Sequence, residues 1–490
     1  MNILELLEIR ATELKFLDSI KSDKVVSSHI NSMTQNKGGD ILEFSDFIEE
    51  HFFTIDNSTL VFGRSIPQII DYRNKCGLES VVNQQHIQSY MDAGVILPPF
   101  TVYSNIFRVP IFSTLRHQDG LFLLWCSPSF LNKPHPFVKT HELFDELAES
   151  LLRSDLIKQD NELICTISGG ADSSALLSVL CKVVDPKKVI ALCCRMPGYD
   201  GEIERARKVA ESCGVRFIVY EPDSVLDERI VRNYIETHGD LVYDPVVPVI
   251  ASMFNDYQNN QTSGEGELII VEGQGADTVL TGLPHDLVIS LYLPIFSPFF
   301  RLLRSILPPP SENLRRRCRF CYRLNKTIQM LGESNWRHAL LRSLDFERKN
   351  YPHLYDMMDN FLVNYINQTG DRHKAIMLFF FNILQVREMQ KYRVMNSKIR
   401  PMLPFLDLNF IKRCYVTPTS FFFQLGRRKI PIIKYVRKQF PGLFKSSSTT
   451  PFAVEYELTG SESIRNEDGN TYNKLKNYSI SVLKKNKKLS

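Results

Sequence analysis

The sequence predicts an α/β protein in which a doubly wound, parallel sheet follows a separate N-terminal α+β domain. Near-continuous apolar runs at 188–194 and 268–272 are typical of strands that are covered on both faces. Apolar residues at helical spacing lie between these runs. A third observation is the apolar run 163–167, which bends through glycines directly into a helical pattern. Ligands of doubly wound sheets bind beyond the carboxyl ends of the strands, so functional residues are expected there.

Residues 1–145 are predicted to form the N-terminal domain. Short strands with alternating apolar residues are expected at 60–63, 102–108 and 121–126. Prolines and a Gln-Asp-Gly turn at 118–120 separate them.

Residues 146–460 are predicted to form the sheet domain, and residues 461–490 a basic, polar tail. The expected elements of the sheet domain are strand 163–167 with its helix, strand 188–194, helix 202–212, strand 216–220, a helix capped by Ser224, and strand 268–272. Residues 285–440 are rich in helical pattern and in aromatic residues, which favours core packing. The basic run 484–488 is expected to fray.

A glycine-bent loop between the first strand of the sheet domain and its helix is the first candidate site. It begins with Ser168, Gly169 and Gly170, and Asp172 and Ser173 open the helix. The first N–H groups of a helix lack intrahelical partners and, together with the helix dipole, favour an anion such as phosphate. Because Asp172 would repel a bare phosphate, a divalent cation is expected between them. A glycine turn with an ordinary helix cap is the alternative.

A second glycine loop, Gly273-Gln274-Gly275-Ala276-Asp277, follows the strand at 268–272. Its position at a strand end matches that of the first loop. We therefore expect both loops to open onto one crevice.

Composition limits the classes of function. The chain has 490 residues, of which 43% are hydrophobic and 23% charged, as in soluble globular proteins, and its length indicates two or three domains. A net charge of +4 gives no general case for a nucleic-acid partner. The N-terminus carries no secretory signal, and prolines and arginines interrupt the apolar stretch 287–307, which argues against a spanning helix. We predict a cytoplasmic protein, and contact of this stretch with a membrane partner remains open.

The string SGGADS at 168–173 matches the SGGxDS pyrophosphate loop of the adenine nucleotide α-hydrolase superfamily. Within that superfamily the chain resembles the asparagine synthetase group. The resemblance implies that ATP adenylates a substrate, pyrophosphate leaves and a nucleophile displaces AMP. It also implies that Asp172 and Asp277 bind Mg²⁺, with a turn residue as the alternative for Asp277; Thr278 stands where the family usually has glutamate. The residues that it assigns to nucleotide binding are Ser168, Gly169, Gly170, Asp172, Ser173, Gly273 and Gly275.

Residues 85–109, with ILPPF at 96–100, resemble the end of the glutaminase domain of glutamine-dependent asparagine synthetases. That domain is an N-terminal-nucleophile amidase whose cysteine follows Met1. Here Asn2 takes that position, and the first cysteine is Cys76. Because an asparagine side chain cannot attack a glutamine amide, we expect a degenerate domain, kept for scaffolding or substrate docking, that produces no ammonia.

Residues 398–407, KIRPMLPFLD, correspond to the E-x-R-x-P-F-L-D region of asparagine synthetases. The PFLD is intact, but Arg400 replaces the glutamate and Met402 the arginine. β-Lactam synthetases of this group use that glutamate in a catalytic dyad, so their mechanism does not transfer directly. The Lys-Ile pair ahead of Pro-Phe-Leu and the Lys/Ser-rich piece 445–448 resemble lasso-peptide cyclases instead. Lys445 is predicted to neutralise the departing pyrophosphate or the adenylate; a solvated loop lysine is the alternative.

The resemblance therefore predicts an ATP-dependent, AMP-forming ligase that closes a macrolactam in a precursor peptide during peptide-antibiotic biosynthesis. A side-chain carboxylate of the peptide would be adenylated and then attacked by the N-terminal amine, with a leader-peptide protease as the expected partner. An ammonia-dependent asparagine synthetase-like enzyme acting on a small acid is the second possibility. A non-catalytic scaffold is the third. A tRNA-thiolating enzyme is disfavoured by the lone Cys318-x-x-Cys321 and the near-neutral charge.

Overall fold

The structure is a computed structural model. It describes residues 8–11, 13–16, 39–56, 59–118, 121–126, 135–158, 162–195, 200–222, 225–226, 228–260, 267–307, 318–344, 346–350, 352–395, 398–424, 427–444, 457–458 and 471–487.

The strands within these residues belong to two sheets in the N-terminal part, one central sheet and one short pair. In chain order they are β1 Glu8–Ala11, β2 Glu13–Phe16, β3 Gly39–Phe44, β4 Phe52–Asp56, β5 Thr59–Gly63, β6 Phe107–Arg108, β7 Ser113–Gln118, β8 Leu121–Cys126, β9 Leu163–Thr166, β10 Val189–Cys194, β11 Arg216–Tyr220, β12 Val225–Leu226, β13 Leu268–Val271, β14 Ile399–Met402 and β15 Glu457–Leu458.

The central sheet has five parallel strands in the order β11-β10-β9-β13-β14. Alternate residues along its strands enter two different apolar clusters. Ile164 and Ile270 pack with Phe254 in the smaller cluster, whereas Leu163 and Ile269 belong to the main core. Since both faces are covered by apolar side chains, the strands are nearly continuous apolar runs. The predicted α/β class and parallel sheet are confirmed.

Helices surround this sheet and make up most of the C-terminal half. They are Ile66–Lys75, Gln84–Ala93, Thr140–Arg153, Asp155–Lys158, Ala171–Val183, Asp200–Cys213, Glu228–His238, Val246–Asn260, Ala276–Val279, Pro284–Leu291, Ser297–Ile306, Arg319–Leu331, Trp336–Ser343, Pro352–Thr369, Arg372–Ile383, Gln390–Arg393, Leu408–Val416, Thr419–Phe422, Ile430–Gln439 and Thr471–Lys487. A π-helical turn, Leu384–Glu388, follows Arg372–Ile383. None of the helices within the described residues combines the length and apolar character that crossing a bilayer requires.

The N-terminal part contains two four-stranded sheets, ordered β1-β8-β7-β3 and β2-β5-β4-β6. The strand predicted at 102–108 is shorter than expected, because only β6 extends there. Before it, the Thr101 hydroxyl donates to the carbonyl of Ile106 at 2.7 Å and accepts from the N–H of Tyr103 at 3.1 Å. This side chain satisfies backbone groups that a strand would otherwise pair, so the chain turns. A glutaminase-like origin of this part remains a prediction.

Buried ion pairs join the N-terminal part to the rest of the chain. The fully buried Arg108 of β6 contacts Asp240 and lies 3.1 Å from Glu50. Arg393 lies 3.1 Å from the other oxygen of Glu50. Because buried charges need partners, these contacts fix the N-terminal sheets against the part of the chain that contains the central sheet.

Two expectations about the C-terminal side of the chain are wrong. The helix expected from Ser224 begins at Glu228, since Val225–Leu226 pairs instead with Glu457–Leu458; Ser224 itself lies outside the described residues. The basic run 484–488 was expected to fray, but the helix Thr471–Lys487 continues through most of it and buries four large side chains just before it: Leu475, Tyr478, Val482 and Leu483. Lysines between these positions concealed the apolar stripe. The domain limits remain predictions, and the helix Thr140–Arg153 runs across the expected boundary at 145.

Candidate active site

The first glycine loop connects β9 to the helix Ala171–Val183. Gly169 has a φ of +72°, and a Cβ there would lie 2.3 Å from the carbonyl oxygen of Glu202. Only glycine fits this position without displacing the neighbouring backbone. The Ser173 hydroxyl accepts from the N–H of Ser168 at 3.2 Å, and the Ser168 hydroxyl accepts from the N–H of Gly170 at 3.3 Å. Two backbone N–H groups of the loop thus donate to serine hydroxyls of the same loop.

The second glycine loop packs directly against the first. A Cβ on Gly273 would lie 3.7 Å from the backbone nitrogen of Ser173, because β13 and β9 are neighbours in the sheet. Gly275 has a φ of +87°, and a Cβ there would clash at 2.3 Å with Leu406 of the PFLD string. The two loops thus meet at one edge of the sheet, as we expected from their positions after parallel strands, and the PFLD string packs against the second loop.

Asp172 and Asp277 come together around one cation. The ammonium of Lys429 contacts Oδ2 of Asp172 and lies 2.6 Å from Oδ1 of Asp277. The side chain of Lys429 is only 9% exposed, whereas that of Asp277 is 60% exposed. The Asp172 carboxylate, 21% exposed, thus lies deeper than the Asp277 carboxylate, which opens to solvent.

Backbone geometry places Lys429 at this point. The residue has a φ of +51° and precedes the helix Ile430–Gln439, whose second residue is a proline. Gly282 leaves room for the side chain, since a Cβ there would lie 2.0 Å from Cε of Lys429. Burial alone would lower the pKa of Lys429, but the charges of Asp172 and Asp277 together raise it above its ordinary value. Lys429 is therefore a fixed positive charge.

Lys429 was not among the residues selected from the sequence. The basic run Arg427-Arg428-Lys429 before a proline-initiated helix was the available signal. Such a run is usually solvated, and its approach to the phosphate loop depends on tertiary packing.

The carboxylates fit a magnesium ion that is also held by a nucleotide. Oδ1 of Asp172 is buried and has no hydrogen-bond partner among the described residues. Among the residues that the structure describes, there is no group of three or more His, Cys, Asp or Glu side chains that could hold a metal ion by itself. Mg²⁺ usually takes one or two carboxylates and completes its shell with phosphates and water, so two carboxylates suffice. An ion at this position would supply charge neutralisation of the phosphates.

A second charged network lies at the end of β13. Lys391 donates to Glu272 at 2.5 Å and to the side-chain oxygen of Gln274 at 2.9 Å. The Tyr392 hydroxyl donates to the other oxygen of Glu272 at 2.5 Å, and the amide of Gln274 donates to Glu388. Burial raises the pKa of both Tyr392 and Glu388. The network fixes the backbone from which Asp277 projects.

Arg400, which was singled out in the sequence, does not join this site. Arg400, at the expected glutamate position, lies on β14 with its side chain 52% exposed and 3.7 Å from Glu267, which precedes β13. The side chain therefore points towards the beginning of that strand, away from the loops. Lys445 lies outside the described residues, so its role remains a prediction.

The parallel sheet, with two glycine loops and paired carboxylates at its edge, is the arrangement expected of a nucleotide-dependent α/β enzyme. A comparison with known protein families agrees with this class. The family model described as asparagine synthase matches residues 144–442. The chain belongs to the asparagine synthase family, which makes it an ATP-dependent ligase that forms amide bonds. No curated protein matches the chain.

Proposed function

We propose that this chain is an AMP-forming macrolactam synthetase of the lasso-peptide cyclase type. The observation that carries the adenylation step is the convergence of Asp172 and Asp277, from two different loops, on one cation position. A cleft that collects positive charge and backbone N–H groups at a helix start suits the pyrophosphate that departs from ATP.

The groups at the cleft have distinct roles in this proposal. Ser168, Gly169, Gly170 and Ser173 bind pyrophosphate through hydroxyl and backbone donors, and Gly273 and Gly275 let the second loop approach the nucleotide. Asp172 and Asp277 hold Mg²⁺. Lys429 exchanges its carboxylate partners for phosphate oxygens when ATP binds. Its fixed charge then stabilises the leaving group as the adenylate forms.

The attacking group in this proposal is the N-terminal amine of the bound peptide. Holding the peptide amine against its own activated carboxyl makes the attack effectively unimolecular, which is worth about 7–11 kcal/mol in well-oriented cases. The N-terminal sheets are joined to the rest of the chain through Arg108 and Glu50, and in this proposal they help to position the peptide.

Exchange of labelled pyrophosphate into ATP tests the adenylation step. The full chain is incubated with Mg²⁺, ATP and a peptide that carries an internal aspartate or glutamate. Asp172→Asn and Asp277→Asn should each lower the exchange rate by about 100-fold or more. Asp71→Asn is the matched control, because Asp71 is an exposed carboxylate paired with Lys75. Normal exchange in either cleft variant contradicts the metal assignment.

Product analysis tests the peptide step separately. Macrolactam closure yields a peptide lighter by one water that resists aminopeptidase. The competing outcome is asparagine, formed from free aspartate and ammonia while the peptide stays linear. That result, with exchange intact, would favour the small-acid amidating enzyme and leave the adenylation site unchanged.

A further inference from the structure

The helix Ser297–Ile306 carries its apolar stripe on the side that faces solvent. Ile295, Phe299, Leu302 and Ile306 follow one another at helical spacing, and each is more than half exposed. The neighbouring Leu293, Phe296 and Leu324 add to the same region. These seven side chains are between 50% and 80% exposed, and they account for most of the exposed large apolar side chains among the described residues.

The opposite side of this helix is fastened to the protein by polar contacts. The Ser297 hydroxyl donates to the carbonyl of Glu333 at 2.9 Å, and Arg304 lies 2.5 Å from the carboxylate of Glu333. The helix backbone at Arg301 also comes so close to Gly332 that a Cβ there would lie 3.3 Å away. An ordinary surface helix buries its apolar side and exposes its polar side. In this helix Phe300 packs against the core, but Phe299, Leu302 and Ile306 face solvent, so an apolar side of the helix is available for a partner.

The charge of the surrounding sequence indicates what that partner is. Residues 287–332 contain eight arginines and lysines and a single acidic residue, which gives this stretch a net charge of +7. The whole chain has a net charge of only +4. Positive charge is therefore concentrated in the same stretch that exposes the apolar stripe. A basic stretch of sequence that also contains exposed Phe, Leu and Ile on a short amphipathic helix fits an anionic bilayer surface.

We propose that the helix Ser297–Ile306 docks the protein on an anionic lipid membrane. The apolar stripe enters the boundary between headgroups and acyl chains, and the basic residues of the stretch attract the lipid phosphates. Ten residues are too few to cross a bilayer, so the helix lies in the plane of the interface. Side chains that project into solvent suit a deformable lipid layer better than a second rigid protein surface. The proposal stands independently of the reaction assigned to the cleft.

Vesicle sedimentation with the full chain tests this proposal. The protein should bind vesicles of phosphatidylglycerol and phosphatidylcholine, and binding should weaken in 0.5 M salt and on pure phosphatidylcholine, because both remove the attraction between basic residues and anionic lipid. The triple variant F299S/L302S/I306S should bind at least about tenfold more weakly, since each exposed apolar side chain adds to the buried area. The triple variant V81S/V138S/L152S is the matched control. It removes exposed apolar side chains from other elements and should bind as the parent does.

A second measurement separates membrane insertion from self-association. In Phe299→Trp, the emission of the added tryptophan should shift to shorter wavelength with anionic vesicles and should be quenched by brominated acyl chains. Sedimentation equilibrium without lipid should give the same mass for the parent and for F299S/L302S/I306S. A parent protein that does not bind anionic vesicles overturns the proposal. So does a dimer that the triple variant dissociates, because the stripe would then be covered by a second copy.

Discussion

The ammonium of Lys429 lies 2.6 Å from Oδ1 of Asp277, and it also contacts the carboxylate of Asp172. The three residues come from positions up to 257 residues apart in the chain. A single fixed charge thus holds the two acidic loops together where a divalent cation and the phosphates of ATP are expected to bind. Lys429 neutralises the site before the nucleotide arrives, and without it two carboxylates would repel each other across the cleft.

Replacing Lys429 with methionine removes this charge while keeping much of the side-chain volume. We expect pyrophosphate exchange to fall by about 100-fold or more, because the leaving group loses a preorganised cation. Lys434→Met is the matched control, since Lys434 is exposed on the helix that follows Lys429, and it should leave the exchange rate unchanged. Equal rates in the two variants would remove Lys429 from the phosphate site.

Replacing Gly169 with alanine tests whether the first loop needs glycine for space as well as for backbone conformation. Gly77 has a similar φ of +71°, but a Cβ added there would meet nothing within 4 Å, so Gly77→Ala carries the conformational cost alone, about 1 kcal/mol. Gly169→Ala adds a clash with the carbonyl of Glu202. We expect a loss of unfolding free energy of about 3 kcal/mol or more and a raised KM for ATP. Similar urea midpoints for both variants would show that the loop tolerates a Cβ.

Replacing Arg108 with methionine tests the junction between the N-terminal sheets and the rest of the chain. The substitution leaves the buried carboxylates of Glu50 and Asp240 without their shared partner. Breaking a buried pair from one side typically costs about 3–5 kcal/mol. Arg195→Met is the control, because Arg195 pairs with Glu221 on the surface and should cost less than about 1 kcal/mol. Urea unfolding measures the loss of unfolding free energy in each variant. If Arg108→Met costs no more than Arg195→Met, the junction adds little stability.

Local pattern was sufficient to predict four of the five central strands and both glycine loops, whereas β14 was not expected as a strand. The strand expected at 216–220 has the observed limits, and those expected at 188–194 and 268–272 each differ by one residue. These elements are predictable because a buried parallel strand needs a continuous apolar run and a tight loop needs glycine.

Contacts between distant segments could not be predicted in this way. Lys429 reaches the phosphate loop because the helix Ile430–Gln439 packs on Ala171–Val183, where Lys182 donates to the Tyr435 hydroxyl at 2.8 Å. The solvent-facing apolar side chains of the helix Ser297–Ile306 likewise depend on a contact with a distant residue, Glu333, which pairs with Arg304. In both cases the sequence pattern is that of an ordinary surface segment, and the role of the segment depends on the part of the fold that it contacts.

The buried imidazole of His86 makes stability depend on pH. Its Nδ1 lies 2.7 Å from the carbonyl oxygen of Thr101 and therefore carries the proton of the neutral ring. Burial lowers the pKa of His86 to about 4, whereas an unfolded chain has about 6.5. Between these values the unfolded state binds more protons than the folded state. The stabilisation is therefore complete above about pH 6.5 and is lost progressively as the pH falls towards 4.

This linkage predicts that His86 accounts for a loss of about 2 kcal/mol in unfolding free energy between pH 7 and pH 5. Urea unfolding of the parent and of His86→Gln at both pH values isolates the effect, since glutamine does not titrate. The variant should be less stable at pH 7 because it loses the fit to Thr101, but its stability should fall less on acidification. His135→Gln is the control, because His135 is exposed, and it should keep the pH dependence of the parent. A pH dependence unchanged by His86→Gln would mean that folding does not lower the pKa of this imidazole.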